Sequence, residues 1–235
     1  MRLFIDCETL PDMRSGALDA IRASIRPPRQ YTRPESIAAW LADHGEAEAQ
    51  RKWRAQALDP LHGELAAVGF AADDGEPHCL VRDENESERD FLAIAMAAIS
   101  EMNESDTVIA PNGQTWPAPA PYLIAHRAAF DLGFLARRSW ILGVPPLFPL
   151  PFNGRHPHHF GCSMTAWTGG GPGEFIGLDA LCRALGIASP KAAGDGSAVL
   201  DWWLAGERDR IAEYCRGDVR AVRAVWHRLH WEHAA

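Results

Sequence analysis

Two acidic residues at the end of a short apolar run are the first chemically informative feature of the chain. Asp6 and Glu8 follow Leu3-Phe4-Ile5 and come just before Pro11. Because side chains alternate between faces along a β-strand, both should project on one side, with Cys7 on the other. Like charges about 4 Å apart repel by roughly 1 kcal/mol in water and about 4 kcal/mol at an effective dielectric near 20. The pair is therefore a candidate site for a divalent metal ion, although acidic residues also end strands simply because they are polar.

Two further acidic positions have matching features. Asp131 follows the strand-like run Tyr122–Ala125 and lies near the start of a predicted helix, where it is either a ligand or an N-terminal cap. Tyr214 and Asp218 are four residues apart in the predicted last helix and therefore share one face. The candidate set is Asp6, Glu8, Asp131 and Asp218, with Tyr214 one helical turn before the last of them.

The sequence around these residues resembles the three exonuclease motifs of the DEDD superfamily of 3′→5′ exonucleases. The matching segments are Phe4–Thr9, His126–Asp131 and Tyr214–Val219, and the tyrosine of the third motif is typical of the DEDDy branch. Residues 178–215, with Pro27-Pro28 and Pro34–Ile37, are similar to a bacterial and phage group related to the exonuclease domain of family-B DNA polymerases. The resemblance covers most of the chain.

This resemblance implies an α/β fold of the ribonuclease-H-like type, a mixed sheet of about five strands flanked by helices. It implies two Mg²⁺ or Mn²⁺ ions bound by Asp6, Glu8, Asp131 and Asp218, and hydrolysis that releases nucleoside 5′-monophosphates. Tyr214 would orient the attacking water or help to deprotonate it. The implied substrate is the 3′ end of single-stranded DNA, and RNA is the alternative. Residues expected to contact substrate are Thr9, Leu10, Arg127 and Phe130, and the pair Trp202-Trp203 either stacks bases or belongs to the core.

One position departs from the family pattern. Relatives usually have Asn after the His of the second motif, and this chain has Arg127. Arginine is permanently charged and suited to bidentate phosphate contacts, so Arg127 either grips the nucleic-acid backbone or turns outward and leaves the terminal nucleotide less firmly held. Related proteins also often carry an Asp within the stretch that is Phe160–Met164 here.

Two alternative functions follow from the same residues. An exoribonuclease would use the same chemistry, because the choice of sugar depends on contacts to the 2′-OH that a sequence does not reveal. A nucleic-acid-binding or partner-binding module on a degenerate exonuclease fold is suggested by Arg127 and by the acidic composition. A polymerase, a repair protein or another partner that delivers the ends is compatible with either.

The elements that must position these residues follow from hydrophobic spacing and turn signals. The chain is predicted to be a single domain, 1–235, with a helical insertion over residues 11–60. Ser87 and Asp90 resemble a capping box, and Gly186 is a plausible helix end. The remaining predictions are strands at 64–72, 78–81 and 122–125, helices at 87–102 and 178–185, a last helix from about Glu207, and no assignment for 107–121.

Composition limits the class of protein. The chain has 235 residues, of which 47% are hydrophobic and 23% charged, as expected for one well-cored domain. A net charge of −8 argues against coating duplex nucleic acid by bulk electrostatics, but it does not exclude a nuclease with a local grip on its substrate. The arginines of residues 11–60 are either a solvated helix surface or a flap that touches phosphates. The five scattered cysteines predict reduced thiols.

Other features predict location and set aside competing sites. No apolar run is long enough to span a bilayer and no leader precedes the first strand, so a cytoplasmic protein without a membrane partner is expected. The cluster His156, His158, His159 and Cys162 matches no common structural zinc pattern. The glycine-rich run Thr168–Gly173 lacks the Gly-Lys-Ser/Thr of a phosphate-binding loop and is predicted to be a flexible connection.

Overall fold

The computed structural model describes residues 1–102, 107–109, 115–117, 120–152, 160–169, 175–189 and 196–232. The chain divides into two compact units. Met1–Glu8 and Leu65–Ala235 form the first, and Thr9–Glu64 form the second, which we call the inserted unit. Its bounds are close to those of the helical insertion predicted at 11–60.

Groups of strands and groups of helices follow one another along the chain, and the last four α-helices follow β7. The strands of the described residues are β1 (Arg2–Leu10), β2 (Glu64–Ala72), β3 (His78–Val81), β4 (Thr107–Ile109), β5 (Thr115–Pro117), β6 (Tyr122–Ala125) and β7 (Phe160–Cys162). The α-helices are α1 (Ala17–Ser24), α2 (Pro34–Ala55), α3 (Glu88–Glu101), α4 (Ala128–Leu142), α5 (Ser163–Trp167), α6 (Leu178–Leu185), α7 (Val199–Leu204) and α8 (Arg208–Leu229). Short 3₁₀ helices occupy Gln56–Leu58 and Gly196–Ala198.

The main sheet has five strands in the order β3-β2-β1-β6-β7. β2 and β3 are antiparallel, whereas β6 is parallel to both β1 and β7. β4 and β5 form a separate antiparallel pair. The protein is therefore α/β, with a mixed five-stranded sheet flanked by helices and a strand order consistent with a ribonuclease-H-like arrangement. The predicted fold class is confirmed.

The alternation of side chains along β1 divides the core between the two faces of the sheet. Leu3, Ile5 and Cys7 belong to a buried cluster that also contains apolar side chains of α3 and α4. Phe4 points to the opposite face and packs with Val219 of α8. Thus α3 and α4 cover one face and α8 covers the other, so the end of β1 lies between α4 and α8.

Two glycines allow α8 to approach the sheet closely. A Cβ atom added to Gly69 of β2 would lie 2.7 Å from the sulfur of Cys215. A Cβ atom added to Gly161 of β7 would lie 2.6 Å from ring atoms of Trp226. Contacts of that length between non-bonded atoms are strongly repulsive, so the missing side chains set the distance between α8 and the strands below it.

The start of α3 is fixed by a cap and by a buried ion pair. The Ser87 hydroxyl accepts a hydrogen bond from the Asp90 N–H at 3.1 Å, which confirms the predicted cap. Glu88, the first helical residue, pairs with Arg138 of α4, and both side chains are buried. The same Glu88 carboxylate accepts a hydrogen bond from the Leu65 N–H at 2.9 Å. These contacts join α3, α4 and β2 on one side of the sheet.

The inserted unit is a helical pair with little buried surface. No residue of α1 is buried, and within α2 only Ala49 is. The Trp53 indole donates a hydrogen bond to the Asp12 carbonyl at 2.8 Å. Arg22 of α1 forms an ion pair with Glu46 of α2 at 2.7 Å. The ion pair therefore links α1 to α2, and the indole hydrogen bond links α2 to the segment that precedes α1.

None of the helices in the described part of the chain has both the length and the apolar character that crossing a membrane requires.

Candidate active site

The end of β1 presents two carboxylates on the face covered by α8. The sulfur of Cys215 lies 3.6 Å from a carboxylate oxygen of Asp6. Potential ligand atoms of Asp6, Glu8 and Cys215 all lie within 4.8 Å of one another, and this is the group of three possible metal ligands found among the described residues. Asp6 is partly exposed and Glu8 is buried. The predicted placement of the two carboxylates on one face is confirmed.

Asp131 approaches from the other side of β1. It lies in the first turn of α4, and its carboxylate is 3.6 Å from the sulfur of Cys7. The interpretation of Asp131 as a helix cap is wrong, because α4 begins at Ala128 and the capping position is occupied by Arg127. Asp131 is only 5% exposed, so its carboxyl group lies inside the protein and not at the surface.

Tyr214 and Asp218 reach the same region from α8, and both are buried. The Tyr214 ring packs edge-on against the ring of Trp202, with centroids 5.5 Å apart. The Tyr214 hydroxyl lies beside Gly196, where an added Cβ atom would be 3.5 Å from the oxygen, at ordinary van der Waals distance. The tyrosine is therefore held by its ring while its hydroxyl stays beside a residue without a side chain.

The four carboxylates perturb one another. Burial and then repulsion from Asp131 raise the pKa of Asp6 to about 8. Burial and, as the smallest contribution, repulsion from Asp218 raise the pKa of Asp131 to about 7. The pKa of Glu8 is raised well above its ordinary value by burial and by repulsion from Asp6, Asp218 and Asp131, in that order. Asp131 and Asp218 thus act on the Asp6–Glu8 pair electrostatically, although they lie outside its compact group of ligand atoms.

The same negative charges act on Tyr214. Burial first, then the carboxylates of Asp218, Glu8 and Asp6, raise the pKa of its hydroxyl above the ordinary value. The phenol therefore stays protonated at neutral pH. In this state its O–H donates a hydrogen bond to the Asp218 carboxylate, and its oxygen can accept one from a water molecule. This suits Tyr214 to orient a water molecule more than to remove a proton from one.

His126, the first residue of the second motif, has a structural role that the sequence did not reveal. Its Nδ1 lies 2.9 Å from the Ser163 hydroxyl and its Nε2 lies 2.8 Å from the Ile176 carbonyl. Its own carbonyl accepts a hydrogen bond from the Met164 N–H at 3.1 Å. Burial lowers the pKa of the imidazole. The neutral ring thus ties the end of β6 to the start of α5 and to the chain leading into α6.

Arg127, the residue after His126, is exposed and lies near two aromatic rings. Its guanidinium carbon is 5.8 Å from the centroid of the Phe130 ring and 5.2 Å from that of Phe175. Phe130 is half-buried, whereas Phe175 is 66% exposed. Arg127, which precedes Asp131 by four residues, therefore lies beside the exposed ring of Phe175. Phe175 was not singled out in the sequence, because it lies far from the motif.

Four more residues were considered from the sequence for contact with substrate: Thr9, Leu10, Trp202 and Trp203. The Thr9 hydroxyl donates to the Ala57 carbonyl at 2.6 Å within the inserted unit, and Leu10 is fully buried. Their predicted contact with substrate stays a prediction. Trp202 and Trp203 are buried, so the core alternative is correct for them and the base-stacking alternative is wrong.

The two sites set aside in the sequence lie partly outside the described residues. His156, His158 and His159 are outside them, whereas Cys162 is the last residue of β7 and its thiol donates to the His126 carbonyl at 3.2 Å. Of the glycine-rich run, Thr168 and Gly169 are described and form a turn after α5, and the rest falls outside.

No protein-family model, curated protein or solved structure matches this chain.

Proposed function

We propose that this chain is a metal-dependent 3′→5′ exonuclease of the DEDDy type, similar to the exonuclease domain of family-B DNA polymerases. The observation that carries the proposal is the approach of four acidic side chains, from three separate parts of the sequence, around the end of β1. They are Asp6 and Glu8 of β1, Asp131 of α4 and Asp218 of α8. Mutual repulsion within this set is what bound cations would relieve.

The donor set fits Mg²⁺ or Mn²⁺. Carboxylate oxygens are hard ligands. The raised pKa values mean that these carboxyl groups hold protons near neutral pH, and binding of a divalent ion would release those protons into solvent. Two such ions, when bound, would activate a water molecule and stabilise the leaving 3′ oxygen. The four carboxylates would hold the ions, and the Tyr214 hydroxyl oxygen would accept a hydrogen bond that orients the attacking water.

The proposed substrate is the 3′ end of single-stranded DNA, and the products are nucleoside 5′-monophosphates. Arg127, four residues before Asp131 in the chain, supports a nucleic-acid substrate because it is an exposed cation that could pair with a backbone phosphate. The neighbouring face of Phe175 could stack a base in the same strand. RNA remains the alternative substrate. A cytoplasmic location, and a polymerase or repair partner that supplies the ends, complete the proposal.

A time course of digestion tests the proposal. Single-stranded DNA and matched RNA, both labelled at the 5′ end, are incubated with Mg²⁺, Mn²⁺ or EDTA. The expected result is a metal-dependent ladder that shortens from the 3′ end and is absent with Asp6→Ala. Asp74→Ala serves as the control, because it removes an equal charge from an exposed position in the turn between β2 and β3. Cleavage by Asp6→Ala at the rate of the unmodified protein would overturn the assignment.

Thermal unfolding gives a second test that needs no substrate. Mn²⁺ at about 100 times its dissociation constant should stabilise the fold by about 2.7 kcal/mol, and Asp218→Asn should lose most of this gain. The exposed Arg127 favours one rival, a nucleic-acid-binding module without catalysis. That rival predicts strand binding with no ladder and no stabilisation by Mn²⁺.

A further inference from the structure

We propose that the inserted unit carries a binding surface for single-stranded nucleic acid, formed by Arg29, Tyr31, Arg33, Trp40 and His44. We call these five residues the insert surface. The inference rests on the proposed function, because it says which part of the chain holds the polymer whose end is cut. Three observations carry it: an uninterrupted run of basic charge, arginines without ion-pair partners, and a row of aromatic rings.

The charge pattern of the inserted unit differs from that of the whole chain. The protein has a net charge of −8, yet every charged residue between Asp19 and Glu35 is an arginine. The first of these arginines, Arg22, is neutralised by ion pairs with Asp19 and with Glu46. The excess positive charge therefore lies in the second half of the run, after α1.

Of the three remaining arginines, Arg29 and Arg33 are available to a ligand, whereas Arg26 is engaged with the backbone. Arg26 donates to backbone carbonyls of its own segment at 2.8 Å. Arg29 lies at the tip of a turn closed by a hydrogen bond from the Tyr31 N–H to the Pro28 carbonyl at 3.0 Å. Arg29 and Arg33 are both exposed, and no acidic side chain of the described residues forms an ion pair with either. Unpaired, exposed arginines of this kind suit phosphate contacts.

Aromatic rings continue the surface along α2. The ring centroids of Tyr31 and Trp40 are 6.2 Å apart, and those of Trp40 and His44 are 5.4 Å apart. Trp40 and His44 are four residues apart and so lie on one face of the helix. Tyr31 and Trp40 are partly exposed and His44 is exposed, so these rings could take bases while Arg29 and Arg33 of the same segment take phosphates of a single strand. An acidic peptide would use the arginines but would have no use for a row of flat rings.

Binding of a fluorescently labelled oligothymidylate, measured by anisotropy in EDTA, tests this surface in the full chain. All proteins carry Asp6→Ala to prevent cleavage. The double variant Arg29→Ala/Arg33→Ala should bind about tenfold more weakly. The slope of log affinity against log salt should become shallower by about 0.7 for each lost phosphate contact. The matched control is Arg51→Ala/Lys52→Ala, which removes the same charge from α2, where Arg51 pairs with Glu48.

A small substrate separates this inference from the proposed function. In the background with Asp6 intact, Arg29→Ala/Arg33→Ala should cleave the p-nitrophenyl ester of thymidine 5′-monophosphate at an unchanged rate, while its KM for a long strand rises. Strand binding equal to that of the starting protein, or an equal loss in the control variant, would overturn the insert surface. If the starting protein binds strands through these arginines but cleaves neither substrate, the exonuclease proposal fails and the insert surface stands.

Discussion

The sulfur of Cys215 lies 3.6 Å from a carboxylate oxygen of Asp6, although 209 residues separate the two positions in the chain. This contact joins α8, which carries Tyr214 and Asp218, to the end of β1. The buried thiol donates a hydrogen bond to that carboxylate, which lowers the pKa of Asp6 and offsets part of the rise caused by burial and by Asp131.

The metal-free protein should lose stability as pH rises. The folded pKa values of Asp6 and Asp131, about 8 and about 7, lie above the ordinary value of 3.8. The folded chain therefore keeps protons that the unfolded chain has lost, and the free energy of unfolding falls as pH rises from about 4 to about 8. Urea unfolding in EDTA measures this slope. Asp6→Asn should flatten it, and an unchanged slope in that variant would contradict the assignment.

Tyr214→Phe should lower kcat without weakening metal binding. Removing the hydroxyl takes away the hydrogen bond that orients water, and a loss of about 100-fold is expected. The ring should still pack on Trp202, so the fold is retained. Tyr122→Phe, on β6, is the matched control and should leave kcat unchanged. Loss of Mn²⁺-dependent thermal stabilisation in Tyr214→Phe would instead point to a structural role.

Gly69→Ala should destabilise the protein and displace α8. The new methyl group would lie 2.7 Å from the Cys215 sulfur, and overpacking of this kind costs about 1–3 kcal/mol. Cys215→Ala in the same chain should recover part of that loss by making room. Gly177→Ala is the control, because a Cβ atom there meets nothing within 4 Å. Equal stability of the two single variants in urea unfolding would show that α8 is not held by this contact.

Phe175→Ala should weaken substrate binding through Arg127. Without the ring at 5.2 Å, the guanidinium loses one of the two aromatic faces that position it, so KM for single-stranded DNA should rise while the thermal midpoint stays the same. Trp140→Ala is the control, because Trp140 is similarly exposed but lies near the end of α4. A rise in KM with the control variant as large as that with Phe175→Ala would refute the specific role of Phe175.

Strands with a strong local signal could be predicted from the sequence. β2, β3 and β6 have the predicted bounds, since apolar runs and the Asp74-Gly75 turn identify them without tertiary information. β7 was missed because it is three residues long and has a glycine at its centre. Its pairing with β6 and the fit of Gly161 beneath Trp226 make it a strand, and neither is visible in local sequence.

The candidate site likewise has residues that local sequence predicts and contacts that it does not. The acidic residues and Tyr214 could be found because their types and spacing are local. The contacts of Cys7 and Cys215 with carboxylates could not, since each joins positions more than a hundred residues apart. The hydrogen-bond partners of His126, which are Ser163 and Ile176, could not be predicted either. Such partners depend on how α4, α5 and α8 pack on the sheet, and no spacing rule encodes that.

The close packing of α8 on Gly69 and Gly161 has a consequence for synthesis of the protein. Asp218 belongs to α8, which packs on the sheet through tertiary contacts that include those at Gly69 and Gly161, and which is synthesised long after β1. A nascent chain that has emerged only as far as α7 carries three of the four acidic residues and lacks Tyr214. If the proposed nuclease is correct, translation itself delays activity until the last helix has docked, so unfinished chains would be harmless to nearby nucleic acid.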